Sequence, residues 1–283
     1  MKRILRVLFC ALVAAAGCQR NERANAVAPL PSWPRPFYQP TQNKAFVWYQ
    51  IYGHFPDTIA ISRSQYRCAG VPLGIEIVNQ RRPGRDEIAT GFLTRPLFTD
   101  SLKHDFPKLA SIVESAPECT MLRGEVPDSP NLDYLRDIVG LVTWFFDNGA
   151  VAVLDAQTAV WYDGDKWRRE IFEPGGMVPN RYAVVVSSED KIGSNTNVFW
   201  LHTRGLRKFA RPDLSWHAVP KLNREAAIGL CCQLIETQAL GAVIADGQRL
   251  MLRSLTNAVT CHNAGSLDDA EFNNMHVEIG WAQ

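Results

Sequence analysis

The sequence predicts an α+β fold with mixed, largely antiparallel sheets and packed helices. Three features point there. First, residues 131–172 run through a helix, a buried strand and a short second helix without a break. In the helix, over 131–148, Leu132, Leu135, Val139, Val142 and Phe146 recur at spacings of three and four, and Ile138, Leu141 and Phe145 widen the same face. Asn148-Gly149 supplies a left-handed stop. Val151 to Leu154 is short, apolar and unalternating, the pattern of a strand buried on both faces. Second, runs rich in aromatic and β-branched residues recur along the chain between turn residues. Third, the 283 residues are 46% hydrophobic and 21% charged, which suits a globular chain able to bury a sizeable core.

Taken in order, residues 45–52 read as a strand, and Asp57 can cap a helix over 58–67. Strands follow at 71–79 and, past the turn QRRPGRD, at 87–94. Pro107 opens a helix that ends near Ser115, and 119–126 is a fourth strand. After the central helix and its strand at 151–155, Asp163 caps a helix carrying Trp167 and Phe172. Strands at 181–187 and 197–202, a short helix at 205–210 and a strand at 214–219 come next. A long helix over 222–240 stops at Gly241. Strands near 249–253, 258–262 and 275–281 close the chain. In the last, His276, Glu278 and Gly280 alternate with Val277, Ile279 and Trp281, one wet face against one buried. The order β-α-β-β-α-β occurs twice. The fold therefore admits two ferredoxin-like halves joined by the central helix, with a sub-boundary near 127–131.

The N-terminus stands apart from this core. Lys2, Arg3 and Arg6 precede an apolar run from Val7 to Val13 and then small residues. This is the anatomy of a secretory signal, too short for a stable membrane span. No later apolar run is long enough to cross a bilayer. Ala15-Ala16-Gly17-Cys18 resembles the lipobox of bacterial prolipoproteins, departing from it at Ala15, where leucine is usual. The resemblance covers the first 18 residues. It implies cleavage before Cys18, acylation of that cysteine, and anchoring to a lipid bilayer. Gln19 then favours the outer membrane, facing the periplasm, in a two-membrane cell. Read from the residues alone, a cut after Ala14-Ala15-Ala16 that releases a soluble secreted protein is the alternative. The expected organisation is a signal peptide over 1–17, a lipid-anchored tether over 18–43 and a globular domain over 44–283. The tether carries Pro29, Pro31, Pro34, Pro36 and Pro40 and reads as extended chain. Trp33, Phe37 and Tyr38 are unusual in a linker and favour docking of its second half. Loss of Lys2, Arg3 and Arg6 from the 30 basic residues leaves 27 against 29 acidic ones. That balance, with no Lys/Arg run, argues against a nucleic-acid face.

Five cysteines remain beyond Cys10 and Cys18: Cys68, Cys119, Cys231, Cys232 and Cys261. Export permits disulfides, but an odd number leaves at least one thiol unpaired within the chain. Cys231 and Cys232 are neighbours on a helix and diverge by about 100°. Burial of these thiols as small hydrophobes fits equally well. No C-x-x-C or H-E-x-x-H spacing is present, so neither a cofactor nor a metal is expected. Ser188 to Lys191 matches S-x-x-K only as a string, because it follows a strand instead of opening a helix. Asp155, at the end of a buried strand, suits either a catalytic or a turn-capping role. The densest chemistry is His202, Arg204, Arg207, Lys208 and Arg211 within ten residues. Guanidinium forks beside a helix start can hold a phosphate, a carboxylate or a lipid headgroup. A solvated basic face, paired with acids such as Asp165 and Glu170, competes with that reading. The chain thus reads as an envelope lipoprotein that binds another envelope protein or a small anionic ligand. The alternative is a secreted hydrolase or anion-binding domain centred on His202, Arg204, Arg207 and Arg211.

Overall fold

A computed structural model describes residues 29–56, 58–81, 93, 95–190, 197–251, 258–269 and 271–281. The signal, Cys18, the Asp57 cap, Lys191 and, but for Leu93, the strand expected over 87–94 lie outside them. The described residues form an α+β fold with two mostly antiparallel sheets.

The first sheet is built around β1 (Lys44–Gly53), which pairs antiparallel with β3 (Glu118–Pro127) on one side and β4 (Ala150–Asp155) on the other. With β2 (Ile75–Arg81) and β5 (Val160–Tyr162) the order is β2-β3-β1-β4-β5. The alternation along β1 explains its central place. Val47, Tyr49 and Ile51 enter the main core, while Tyr52 enters a second one on the opposite face. That second core is covered by α2 (Pro96–Asp105) and α3 (Pro107–Ser115), whose Phe98, Leu102 and Val113 pack near Ala152, Leu154 and Trp161. Pro107 separates the two helices. The residue before a proline is driven out of the helical region, and Phe106 accordingly sits at φ −136°. α4 (Asp133–Asp147) lies on the main-core face, where Leu135, Ile138, Val142 and Phe145 are buried, and ends at Gly149 with φ +109°. The expected helix, stop and two-sided strand are all present.

The second sheet comprises β6 (Val184–Glu189), β7 (Val198–Arg204), β8 (Asp213–Pro220), β9 (Gln248–Leu250), β10 (Val259–Ala264) and β11 (His276–Trp281). Its order is β6-β7-β8-β11-β10-β9, and β8 with β11 is its parallel pair. α6 (Arg224–Ala239) packs on β6, β7 and β8 and buries Leu230, Leu234 and Ile235. No helix among the described residues is long and apolar enough to cross a membrane.

The strands do not sort into two β-α-β-β-α-β halves. β4 and β5 complete the first sheet instead of opening a second repeat. β3, which would be the last strand of the first half, lies between β1 and β2, whereas a ferredoxin-like sheet carries its last strand at an edge. One core cluster takes residues from both sheets and continues across the sub-boundary expected near 127–131. Local boundaries also move. The helix expected over 58–67 is only α1 (Arg63–Tyr66), capped by Ser62 and closed by Arg67 at φ +51°. Ile59 and Ile61 instead lie against the core. β6 starts late because Pro179–Arg181 is a 3-10 turn. The helix capped by Asp163 is α5 (Gly164–Trp167), continued by a π turn, Arg168–Phe172. Cys68, Cys231, Cys232 and Cys261 are free thiols.

The second half of the tether expected over 18–43 is docked on the domain. Residues 31–42 form a strap bound to the domain. Trp33 is buried, its carbonyl accepts from Leu132 N at 2.8 Å, and Phe37 N and Gln39 N donate to Leu240 O and Gly241 O. Prolines suit such a strap because they hold it extended without donors left to satisfy. Gly241, at φ +108°, is needed here twice over, since a Cβ would also meet Tyr38 Cα at 2.5 Å.

Candidate functional site

The four residues singled out from the sequence lie on a strand, a tight turn and a second strand's entry. On β7, Leu201 and Thr203 face the core, so Trp200, His202 and Arg204 point the other way. His202 is nevertheless only 4% exposed. It stacks on Trp200 at 4.1 Å, and Phe272 meets it edge-on at 5.7 Å. Neither ring nitrogen has a hydrogen-bond partner. Burial, then the charges of Arg204 and His217, push its pKa down to about 4. The imidazole is therefore neutral at ordinary pH.

Gly205 at φ +107° turns the chain into a 3-10 turn, Leu206–Phe209, and Ala210 at φ +55° turns it out again. These reversals aim Arg207 and Arg211 differently. Arg211 is turned inward and 1% exposed. Its Nη1 donates to Asp128 Oδ2 at 2.9 Å, and its other donors reach the carbonyls of Ala242, Gln39 and Gly241. Arg35, from the strap, binds the other Asp128 oxygen at 2.6 Å. Arg211 is thus a structural clamp with every group satisfied. The structure does not bring His202, Arg204, Arg207 and Arg211 into one pocket.

Arg207 does line a groove of about 240 Å³ where the strap, the end of β3 and the segment before β11 meet. Its guanidinium lies 4.6 Å from the Phe46 ring, donates to Asn273 O at 2.8 Å and reaches Glu125 Oε1 at 3.4 Å. Glu125 also pairs with Lys44 at 3.2 Å. Two cations and one carboxylate therefore share the mouth, above an apolar wall of Leu267 and Met275 with the Asn274 amide beside it. The charged groups this groove offers a ligand are Lys44, Arg207 and Glu125.

The chain matches no protein-family model, no curated protein and no solved structure. Lys44 and Glu125 were not legible as site residues. They lie far from Arg207 in sequence, and each reads locally as an ordinary strand-end charge. Three other histidines lie beside carboxylates: His54 beside Glu118 at 2.7 Å, His217 beside Asp190 at 3.0 Å, and His276 beside Glu278 at 3.1 Å and Asp269 at 3.9 Å. Among the described residues no three His, Cys, Asp or Glu side chains converge as a metal site.

Proposed function

We propose that the chain is a binding module exported to the cell envelope and held at a bilayer through acylated Cys18. The groove at Arg207 is its ligand site, and the ligand is a small molecule bearing a carboxylate or phosphate. The observation that carries this reading is the state of Arg207. Its side chain is fixed over Phe46, yet it faces an open groove beside Lys44, with a net positive charge at the mouth. A guanidinium beside an ammonium at a groove mouth suits charge-assisted binding of an oxyanion. The hydrolase alternative lacks a shared centre, because His202 is covered and Arg211 is committed to Asp128.

The anchoring half of the proposal rests on the lipobox resemblance and on chain length. Thirteen Cα-to-Cα steps, with twelve residues between, take the chain from Cys18 to Pro31, where the strap begins. Fully extended they reach about 45 Å, enough to hold the domain clear of headgroups. Cys18→Ala is expected to shift the protein from the membrane to the soluble fraction. A processed mutant that still fractionates with membranes would contradict lipidation. For the groove, the full chain is titrated with inorganic phosphate and with succinate, reading the melting temperature and the heat of binding. Arg207→Ala should abolish the response that the parent chain gives. An undiminished response in the variant removes the groove from the proposal.

A further inference from the structure

Asp155 closes β4, and Lys208 sits in the 3-10 turn that follows β7. Their side chains meet between the two sheets, Nζ to Oδ2 at 2.8 Å, with exposures of 0% and 2%. A buried ion pair is costly to form, since each ion gives up its hydration. We infer that Lys208 and Asp155 condense into a side-chain amide, an isopeptide bond tying the first sheet to the second.

The surroundings supply what that reaction requires. Asp155 Oδ1 accepts from the backbone amides of Gln157 at 3.1 Å and Thr158 at 3.4 Å. These two donors sit where negative charge grows when a nucleophile adds to the carboxyl carbon, as an oxyanion hole does. Oδ2, the oxygen that must leave, is the one facing Lys208. Lys208 Nζ donates to Tyr182 O at 2.9 Å, which fixes the amine beside the carboxyl group. A nucleophile and carbonyl carbon held at about 3–3.5 Å are in near-attack contact. Tyr49 and Tyr162 lie close enough to Asp155 that its charge, after burial, raises both phenols. These rings keep water, the competing nucleophile, from the pair. Asp213 is a second fully buried carboxyl within electrostatic reach of Lys208, and burial pushes it up to about 6.

The step balances without any co-reactant. Transfer of one proton inside the pair gives a neutral amine and a carboxylic acid. Nζ adds to Cγ, the C–N bond forms, and Oδ2 leaves as water after taking a second proton from nitrogen. The product is a neutral amide in place of two buried charges, and one water is released.

Mass spectrometry of the full chain, digested after denaturation, tests the bond. The expected product is a branched fragment joining the peptides around Asp155 and Lys208, one water lighter than their sum. It should be absent from Lys208→Arg and from Asp155→Ala. Succinimides at Asp163-Gly164 or Asp246-Gly247 also lose water, but they leave every peptide linear. Recovery of Lys208 and Asp155 only in separate linear peptides from the parent chain overturns the inference, whether or not the variants fold.

Discussion

His202 carries a cost that depends on pH. Its ring lies under Phe272 and against Trp200 with both nitrogens unpartnered, and burial lowers its pKa from 6.5 to about 4. The unfolded chain takes up a proton near pH 6.5, whereas the folded chain resists until about pH 4. The stability that His202 contributes is thus fully present above pH 6.5 and is lost as pH falls toward 4. Other ionisable groups lie in ion pairs nearby, chiefly His217 beside Asp190 and His276 beside Glu278 and Asp269. The informative quantity is therefore the difference from a variant. His202→Phe keeps the stack and removes the proton site. Between pH 7 and pH 4.5, urea denaturation should show the parent losing roughly 2–3 kcal/mol more than His202→Phe. Equal losses would mean that the ring is hydrated in the folded protein.

At the scale of elements, two glycines in helices carry opposite predictions. Helix propensity alone favours alanine over glycine by about 1 kcal/mol. Gly229, in α6, has nothing within 4 Å of where a Cβ would stand, so Gly229→Ala should raise stability by about that amount. Gly140, in α4, faces the end of α1. A Cβ there would lie 2.3 Å from Tyr66 O and 2.7 Å from Cys68 Cβ. Gly140→Ala should therefore destabilise by about 1–3 kcal/mol despite the better propensity. Melting temperatures of the two variants, moving in opposite directions, check both. The same contrast shows what the sequence makes legible. α4 was readable because its period, its stop at Gly149 and its burial are local to one run of residues. The partner that makes Gly140 necessary was not, since Tyr66 is brought there by the fold. The run from His202 to Arg211 failed for a related reason. Closeness in sequence suggested one site, but β7 alternates, Gly205 and Ala210 reverse the chain, and the side chains part. The division into two halves failed because the sheet a strand joins is a non-local choice. Ile51 opposite Val153 decides it for β4.

The whole molecule is joined at Asp128. Burial pushes this carboxyl up, but hydrogen bonds and charge from Arg211 and Arg35 outweigh it and hold the pKa below the usual carboxylate range. Arg35 belongs to the strap and also donates to Phe209 O, Gln238 O and Ala239 O. Arg211 precedes β8 and reaches back to Gln39 O in the strap and forward to Gly241 O and Ala242 O. One carboxylate thus locks the strap, the exit of β3, the turn before β8 and the end of α6. The main core is equally undivided, running from Trp33 through both sheets to Val277 and Ile279. A fold so connected should unfold in one step, and loss of its shared anchor should weaken all of it together. Asp128→Ala leaves two guanidinium groups buried without their carboxylate, which costs about 3–5 kcal/mol. The expected outcome is a single transition at lower temperature, coincident by far-UV circular dichroism and by tryptophan fluorescence. If the strap were an accessory instead, the variant would show two transitions, or a fluorescence change near Trp33 with the main unfolding temperature unmoved. Either result would separate the strap from the core and would place the effective end of the tether nearer residue 43 than residue 31.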